Sequence, residues 1–270
     1  MLLRSLPPRP DGAAPHNGAM DTFRKQRRSA PPGFFRVWAA GLRWLDAAGA
    51  VRVARVIDVG DDFLEIERLP ESAPTTEDAD AFGRNLASLH DAGASAFGAP
   101  PDGWDADGYI GEAPLPLHAE ETWGTFYAQY RIEPYLADSG IDARGLATLE
   151  HLCAALETGT FDDDAPPARI HGDLWSGNVL WTPSGVGLID PAAHGGHRIT
   201  DLAMLALFST PHLARIHAAY AEASAPLPDH WRDLIDLHQV HPLLVHAVLF
   251  GGGYRSQAVA AAGRALALAH

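Results

Sequence analysis

The chain has 270 residues, 47% of them apolar, enough for one large domain or two small ones with a sizeable core, and global disorder is excluded. A formal charge of -14 and a pI near 5.3 argue against nonspecific contacts to a phosphate backbone, so no nucleic-acid partner is expected. Cys153 is the only cysteine, which excludes an internal disulfide and fits a reducing compartment; it lies in an apolar run and reads as a core residue rather than a nucleophile.

Residues 1–20 carry Pro7, Pro8, Pro10 and Pro15 without any apolar period and read as irregular. The early prolines break the first apolar run, so no signal peptide is expected there. No stretch approaches the roughly 18 apolar residues of a membrane helix. The expectation is a cytoplasmic protein. A basic patch follows, Arg24-Lys25-Gln26-Arg27-Arg28, which is either a solvated loop or the end of a strand presenting one functional lysine. Residues 33–50 read as a helix, because Phe34, Trp38, Leu42 and Leu45 recur on one face. Residues 51–59 read as one strand and 63–69 as a second, joined by the turn Gly60-Asp61-Asp62 and ended by Pro70.

The remainder reads as mainly helical. An amphipathic helix is expected over 76–89, entered through acidic residues. A glycine- and proline-rich connection, 93–116, is long for a segment without regular structure and suggests a cover over a site. Helices are expected over 120–139 and 142–157. Short strands follow over 168–171, 179–181 and 186–189, separated by polar turns. From residue 200 the pattern is helical again, through 223, then over 231–250 and 256–268.

The chemistry concentrates in His171-Gly172-Asp173-Leu174-Trp175-Ser176-Gly177-Asn178. One tight glycine-bearing loop offers a carboxylate and, five residues later, a carboxamide. Asp190 follows at the end of a short strand. Phosphoryl transfer needs such a set: one carboxylate to orient a hydroxyl and take its proton, and two oxygen ligands to hold magnesium on the phosphates. Asp173 suits the first role, Asn178 and Asp190 the others. The spacing H-x-D-x-x-x-x-N followed by a strand-borne aspartate is far more specific than a lone glycine loop. The bland alternative is a hydrogen-bonded structural turn.

This stretch resembles the catalytic loop of the fructosamine kinases, or ketosamine-3-kinases, relatives of aminoglycoside and choline kinases. Ile189-Asp190-Pro191-Ala192 resembles their metal-binding strand end, and the resemblance runs over roughly 22–268, through Thr200-Asp201-Leu202 to Phe250-Gly251-Gly252-Gly253-Tyr254. It implies an α+β, two-lobed protein-kinase-like fold, with an irregular segment at 1–20, a reduced and incomplete nucleotide-binding lobe at 21–70, and a mainly helical catalytic and substrate lobe at 71–270. It further implies ATP and Mg2+ as cofactors and transfer of the γ-phosphate to O3 of a ketoamine, on a glycated small amine or protein side chain, in deglycation repair. Asp173 would then be the base, and Asn178 and Asp190 the magnesium ligands. Lys25 and Glu67 would help bind nucleotide, while Trp175, His246 and Tyr254 would face the substrate. Asp201 is expected to brace the loop through backbone N–H groups. His171 is expected to support the loop, and the other histidines show no zinc spacing.

Three departures stand out. No hairpin with a glycine loop fits between the prolines and Lys25. Trp38 occupies the helix position where the resemblance expects a glutamate to pair with Lys25, leaving Glu65 or Glu67 as the nearby partners. Ile199 replaces another expected glutamate. A truncated or mis-started gene product and a diverged member, down to a pseudokinase, both fit these departures. A kinase of another small hydroxylated amine is the remaining alternative.

Overall fold

The computed structural model describes residues 21–223 and 227–269. The irregular segment expected over 1–20 lies outside them. The basic patch forms a strand, β1 (Thr22–Gln26), followed by α1 (Phe34–Asp46), which buries Phe34, Trp38, Leu42 and Leu45 as its spacing requires. The strand expected over 51–59 is split into β2 (Arg52–Val53) and β3 (Val56–Val59), which belong to different sheets. The crossover is at Ala54 and Arg55. The Ala54 N–H donates to Leu188 in one sheet, and the Arg55 carbonyl accepts from Glu67 in the other. The next strand, β4 (Phe63–Glu67), is central in the antiparallel order β1-β4-β3.

Thr75 caps α2 (Thr76–Asp91), accepting from the Asp78 N–H at 3.1 Å. The long connection after it carries an unexpected hairpin, β5 (Gly108–Ile110) and β6 (Ala113–Leu115), turned at Gly111 with φ 56°. The single helix expected over 120–139 is α3 (Trp123–Tyr127), a π turn over Ala128–Ile132, and α4 (Glu133–Leu136). It is followed by α5 (Ala143–Glu157), which buries Cys153; burial pushes that thiol up to about 12, as a core residue requires.

The three expected short strands are present as β7 (Ala168–Ile170), β8 (Val179–Thr182) and β9 (Gly185–Leu188). A fourth, β10 (His194–Gly196), pairs with β7 and carries no β-forming signal in its own sequence. Close packing explains its composition: a Cβ at Gly195 would lie 2.1 Å from the Ala96 carbonyl oxygen. The body is completed by α6 (Arg198–Leu207), α7 (Leu213–Ala223), α8 (Ile235–Phe250) and α9 (Tyr254–Leu266). The run expected from 200 to 223 is broken into α6 and α7, with Ser209 and His212 at positive φ between them. One apolar core runs through α1, α2 and the helical body. Among the described residues, no helix is long and apolar enough to cross a membrane.

Candidate active site

A cavity of about 940 Å³ opens between the small sheet and the helical body. Its wall includes Lys25 from β1, Trp38 from α1, the segment from Glu67 to Glu71, the catalytic-type loop, and α8. Asp173, Asn178 and Asp190 meet at its floor.

The loop is shaped by its glycines and by buried hydrogen bonds. Gly172 has φ 78°, and a Cβ there would lie 2.2 Å from the Ala192 carbonyl oxygen. Only glycine satisfies both constraints. The His171 and Gly172 N–H groups donate to the two carboxylate oxygens of Asp201, at 2.7 and 2.9 Å. Asp201 therefore braces the loop as expected. Behind it stands His90, whose Nε2 is 3.1 Å from Asp201 and whose Nδ1 is 2.8 Å from the Tyr220 hydroxyl. Burial alone would raise the Asp201 carboxyl, but His90 and the loop N–H groups overcome it and hold the carboxyl below its ordinary range. Sequence reading gave His90 no role, because nothing local links residue 90 to residue 201. His171 is fully buried, with Nε2 2.9 Å from the Ile189 carbonyl, so it ties the loop to the strand end that carries Asp190.

Asn178 donates through Nδ2 to the Asp173 backbone carbonyl at 2.8 Å and to its carboxylate at 3.0 Å. That commits the amide nitrogen to Asp173 and turns the amide oxygen the other way. Asp190 sits at φ 56°, a left-handed conformation that aspartate tolerates better than most side chains. One of its carboxylate oxygens pairs with Lys25; the other, Oδ1, is buried without a hydrogen-bond partner. Burial first, and the Asp190 charge second, push the Asp173 carboxyl up to about 8, against the lowering effect of the Asn178 hydrogen bond.

The partner of Lys25 corrects the sequence reading. Neither Glu65 nor Glu67 reaches it. In the β1–β4 register Glu65 lies opposite Arg24 and Glu67 opposite Thr22, so the pleat puts both on the strand face away from Lys25. Glu65 accepts from Thr22 at 2.7 Å, and Glu67 pairs with Arg52 at 2.6 Å while bordering the cavity. Lys25 instead pairs with Asp190 and lies over the Trp38 ring. At the third departure, Ile199 is fully buried and packs in the core.

Trp175 and His246 both line the cavity. Trp175 packs edge-on against Phe208 at 5.9 Å between centroids, and Phe208 in turn lies 5.1 Å from His246. Tyr254 is not part of the cavity wall; it stands behind His246 at 4.9 Å. Phe250 lines the cavity where the sequence reading placed Tyr254: Phe250 ends α8, Tyr254 begins α9, and Gly251 and Gly252 at positive φ turn the chain between them.

A small antiparallel sheet presenting a lysine, set over a helical body whose loop presents Asp173 and Asn178 and whose strand end presents Asp190, defines the protein-kinase-like class of small-molecule phosphotransferases. The fold agrees: the choline kinase of Streptococcus pneumoniae, 16% identical, superposes with a TM-score of 0.61 over 95% of this chain and 89% of its own. Nearer likenesses are specific. A candidate fructosamine-3-kinase of Thermobifida fusca YX-ER1 is 46% identical, with a TM-score of 0.85, covering 92% of this chain and 86% of that one. A probable ketoamine kinase of Thermus thermophilus is 34% identical over 230 residues, 85% of this chain and 82% of its own. The fructosamine kinase family model matches residues 13–267, and the chain belongs to that family.

Proposed function

We propose that this protein transfers the γ-phosphate of ATP to a sugar hydroxyl, O3, of a ketoamine such as a fructosamine or ribulosamine, borne on a glycated small amine or protein side chain, in deglycation repair. The single observation that carries this reading is the convergence of Asp173, Asn178 and Asp190 on the floor of one cavity that Lys25 overlooks.

Asp173 acts as the base. Its carboxylate is oriented by the Asn178 amide, and its raised affinity for protons suits it to accept one from a hydroxyl near neutral pH. The residues fit a nucleotide-bound magnesium ion. Asp190 Oδ1 is a buried, unpartnered oxygen, and the Asn178 amide oxygen is left over by the bonds its nitrogen makes. Among the described residues no group of three or more His, Cys, Asp or Glu side chains could hold a metal alone. Magnesium carried on phosphates needs only one or two protein oxygens. When bound, it would neutralise charge on the transferring phosphate. Lys25 supplies a positive charge on the same side, and Glu67 borders the nucleotide end with its carboxylate held by Arg52. Trp175 and His246 form the acceptor wall, with Tyr254 supporting His246 from behind.

The test is a transfer assay with magnesium-ATP and a panel of fructosamines and ribulosamines, run beside Asp173→Asn. A positioned general base contributes about 10²–10⁴ in rate, so the variant should lose that factor in kcat while still binding nucleotide. Transfer at the same rate in both proteins, or none in the wild type with any ketoamine, would overturn the assignment.

A further inference from the structure

Lys25 is the cation that faces the phosphate side of the cavity, and its side chain is only 9% exposed. A nearly dry ammonium requires compensation from its surroundings. Among the described residues it has one ion pair, with Asp190, and one aromatic face, that of Trp38, with Nζ 5.1 Å from the ring centroid. Asp190 is also the carboxylate whose free oxygen fits a metal. A divalent cation on Oδ1 draws on the same carboxylate charge that Lys25 uses through Oδ2, and so weakens that pair. The indole face is the contact of the ammonium that such a cation leaves unchanged.

We propose that Trp38 is the positioning residue of Lys25, holding the ammonium by cation–π attraction and leaving its whole formal charge available to nucleotide phosphate. The inference rests on the kinase reading above and deepens it. Trp38 is suited to the task because its ring is fixed. Phe34 lies 4.6 Å from it and Phe35 meets it edge-on at 5.8 Å, all on the buried stripe of α1. An indole face attracts a cation more strongly than a phenyl face, and the attraction grows when water is excluded. A carboxylate at this position would act differently. It would neutralise Lys25 and release Asp190. The aromatic ring orients Lys25 without competing with the phosphates for it.

The proposal is tested by a double-mutant cycle read as binding rather than turnover. The dissociation constant of a nonhydrolysable ATP analogue with magnesium chloride is measured by calorimetry on the wild type, Trp38→Leu, Lys25→Met and the double variant. Trp38→Leu should weaken binding by about 2- to 30-fold when Lys25 is present. It should have no further effect in the Lys25→Met protein. Trp38→Phe should keep most of the affinity, and if Trp38→Leu fails to fold, the cycle is run with Trp38→Met, which fills much of the space without a π face, and the same sign is expected. Equal losses in both backgrounds would show that Trp38 acts only through packing and would overturn the inference, as would no loss in either. A wild-type protein that binds no nucleotide would instead overturn the kinase reading, and this inference with it.

Discussion

The catalytic loop and the small sheet above it face the same cavity but are built differently. The loop is fixed by short, buried, reciprocal bonds: Asp201 to two backbone N–H groups, His90 behind Asp201, and Asn178 to Asp173. The small sheet holds its charges by partly exposed pairs, Arg24 with Glu65 within the sheet and Glu67 with Arg52 of the neighbouring one, and its Lys25, largely covered, borrows an anion from across the cleft. Directional groups need directional bonds: a carboxylate proposed as a base has to meet its proton in line, whereas an ammonium proposed to bind phosphate acts as a point charge and can be held by a ring face and one ion pair.

Loss of the Asp201 brace should have the largest effect. Asp201→Asn removes a buried carboxylate from two N–H donors and from His90, and should lower unfolding free energy by about 3–5 kcal/mol. Denaturant titration measures it; a loss no larger than that of a surface pair would show that the loop does not depend on the brace. Acid should act next, and on the same helical body. Burial lowers the proton affinity of His194, to about 3, and that of His238 and His241 well below the ordinary value. For each, the unfolded chain binds the extra proton, so stability is full above about pH 6.5 and falls as pH drops toward the folded value. His194 should cost about 1 kcal/mol over the first unit below 6.5, and His238 and His241 act in the same direction. Melting temperatures recorded from pH 8 to 5 check this, and a flat profile would contradict it.

The two regions meet electrostatically at Asp190, and the rate profile should report the meeting. With the Asp173 carboxyl up at about 8, kcat/KM should rise with pH and lose up to about tenfold per unit below that value. Initial rates at low magnesium-ATP concentration from pH 6 to 9, which report the nucleotide-free enzyme, give the limb; no rise over that span would mean that Asp173 is not the titrating base. The smallest effect belongs to the small sheet. Glu65→Gln breaks a pair whose arginine is 46% exposed, and should cost at most about 1 kcal/mol in thermal unfolding. A larger loss would mean that the sheet depends on its charge pairs as strongly as the loop depends on its brace.

Much of the site was legible because its residues lie close together along the chain. The Asp173–Asn178 spacing fits one loop, Gly172 is demanded by a positive φ, and the α1 stripe of Phe34, Trp38, Leu42 and Leu45 follows from helical period alone. The brace by Asp201 was anticipated, but its support by His90 was not, since residues 90 and 201 meet only when α2 and α6 both pack against β7. The valine-rich run at 51–59 looked like one strand because alternation cannot show that the chain changes sheets at Ala54. β10 was missed because its glycines answer to a neighbouring backbone rather than to β propensity.

Residue spacing alone carried the proposed chemistry: which side chains make up the candidate reacting set, in what order, and on what kind of loop, because those features depend on covalent spacing and local backbone limits. The tertiary structure alone decided which charges pair. Glu65 and Glu67 are near Lys25 in the fold, yet the strand register turns both away from it and leaves it to Asp190 and Trp38. Pairing of that kind depends on the pleat, on register and on the approach of elements far apart in the chain, and none of these is written in residue spacing.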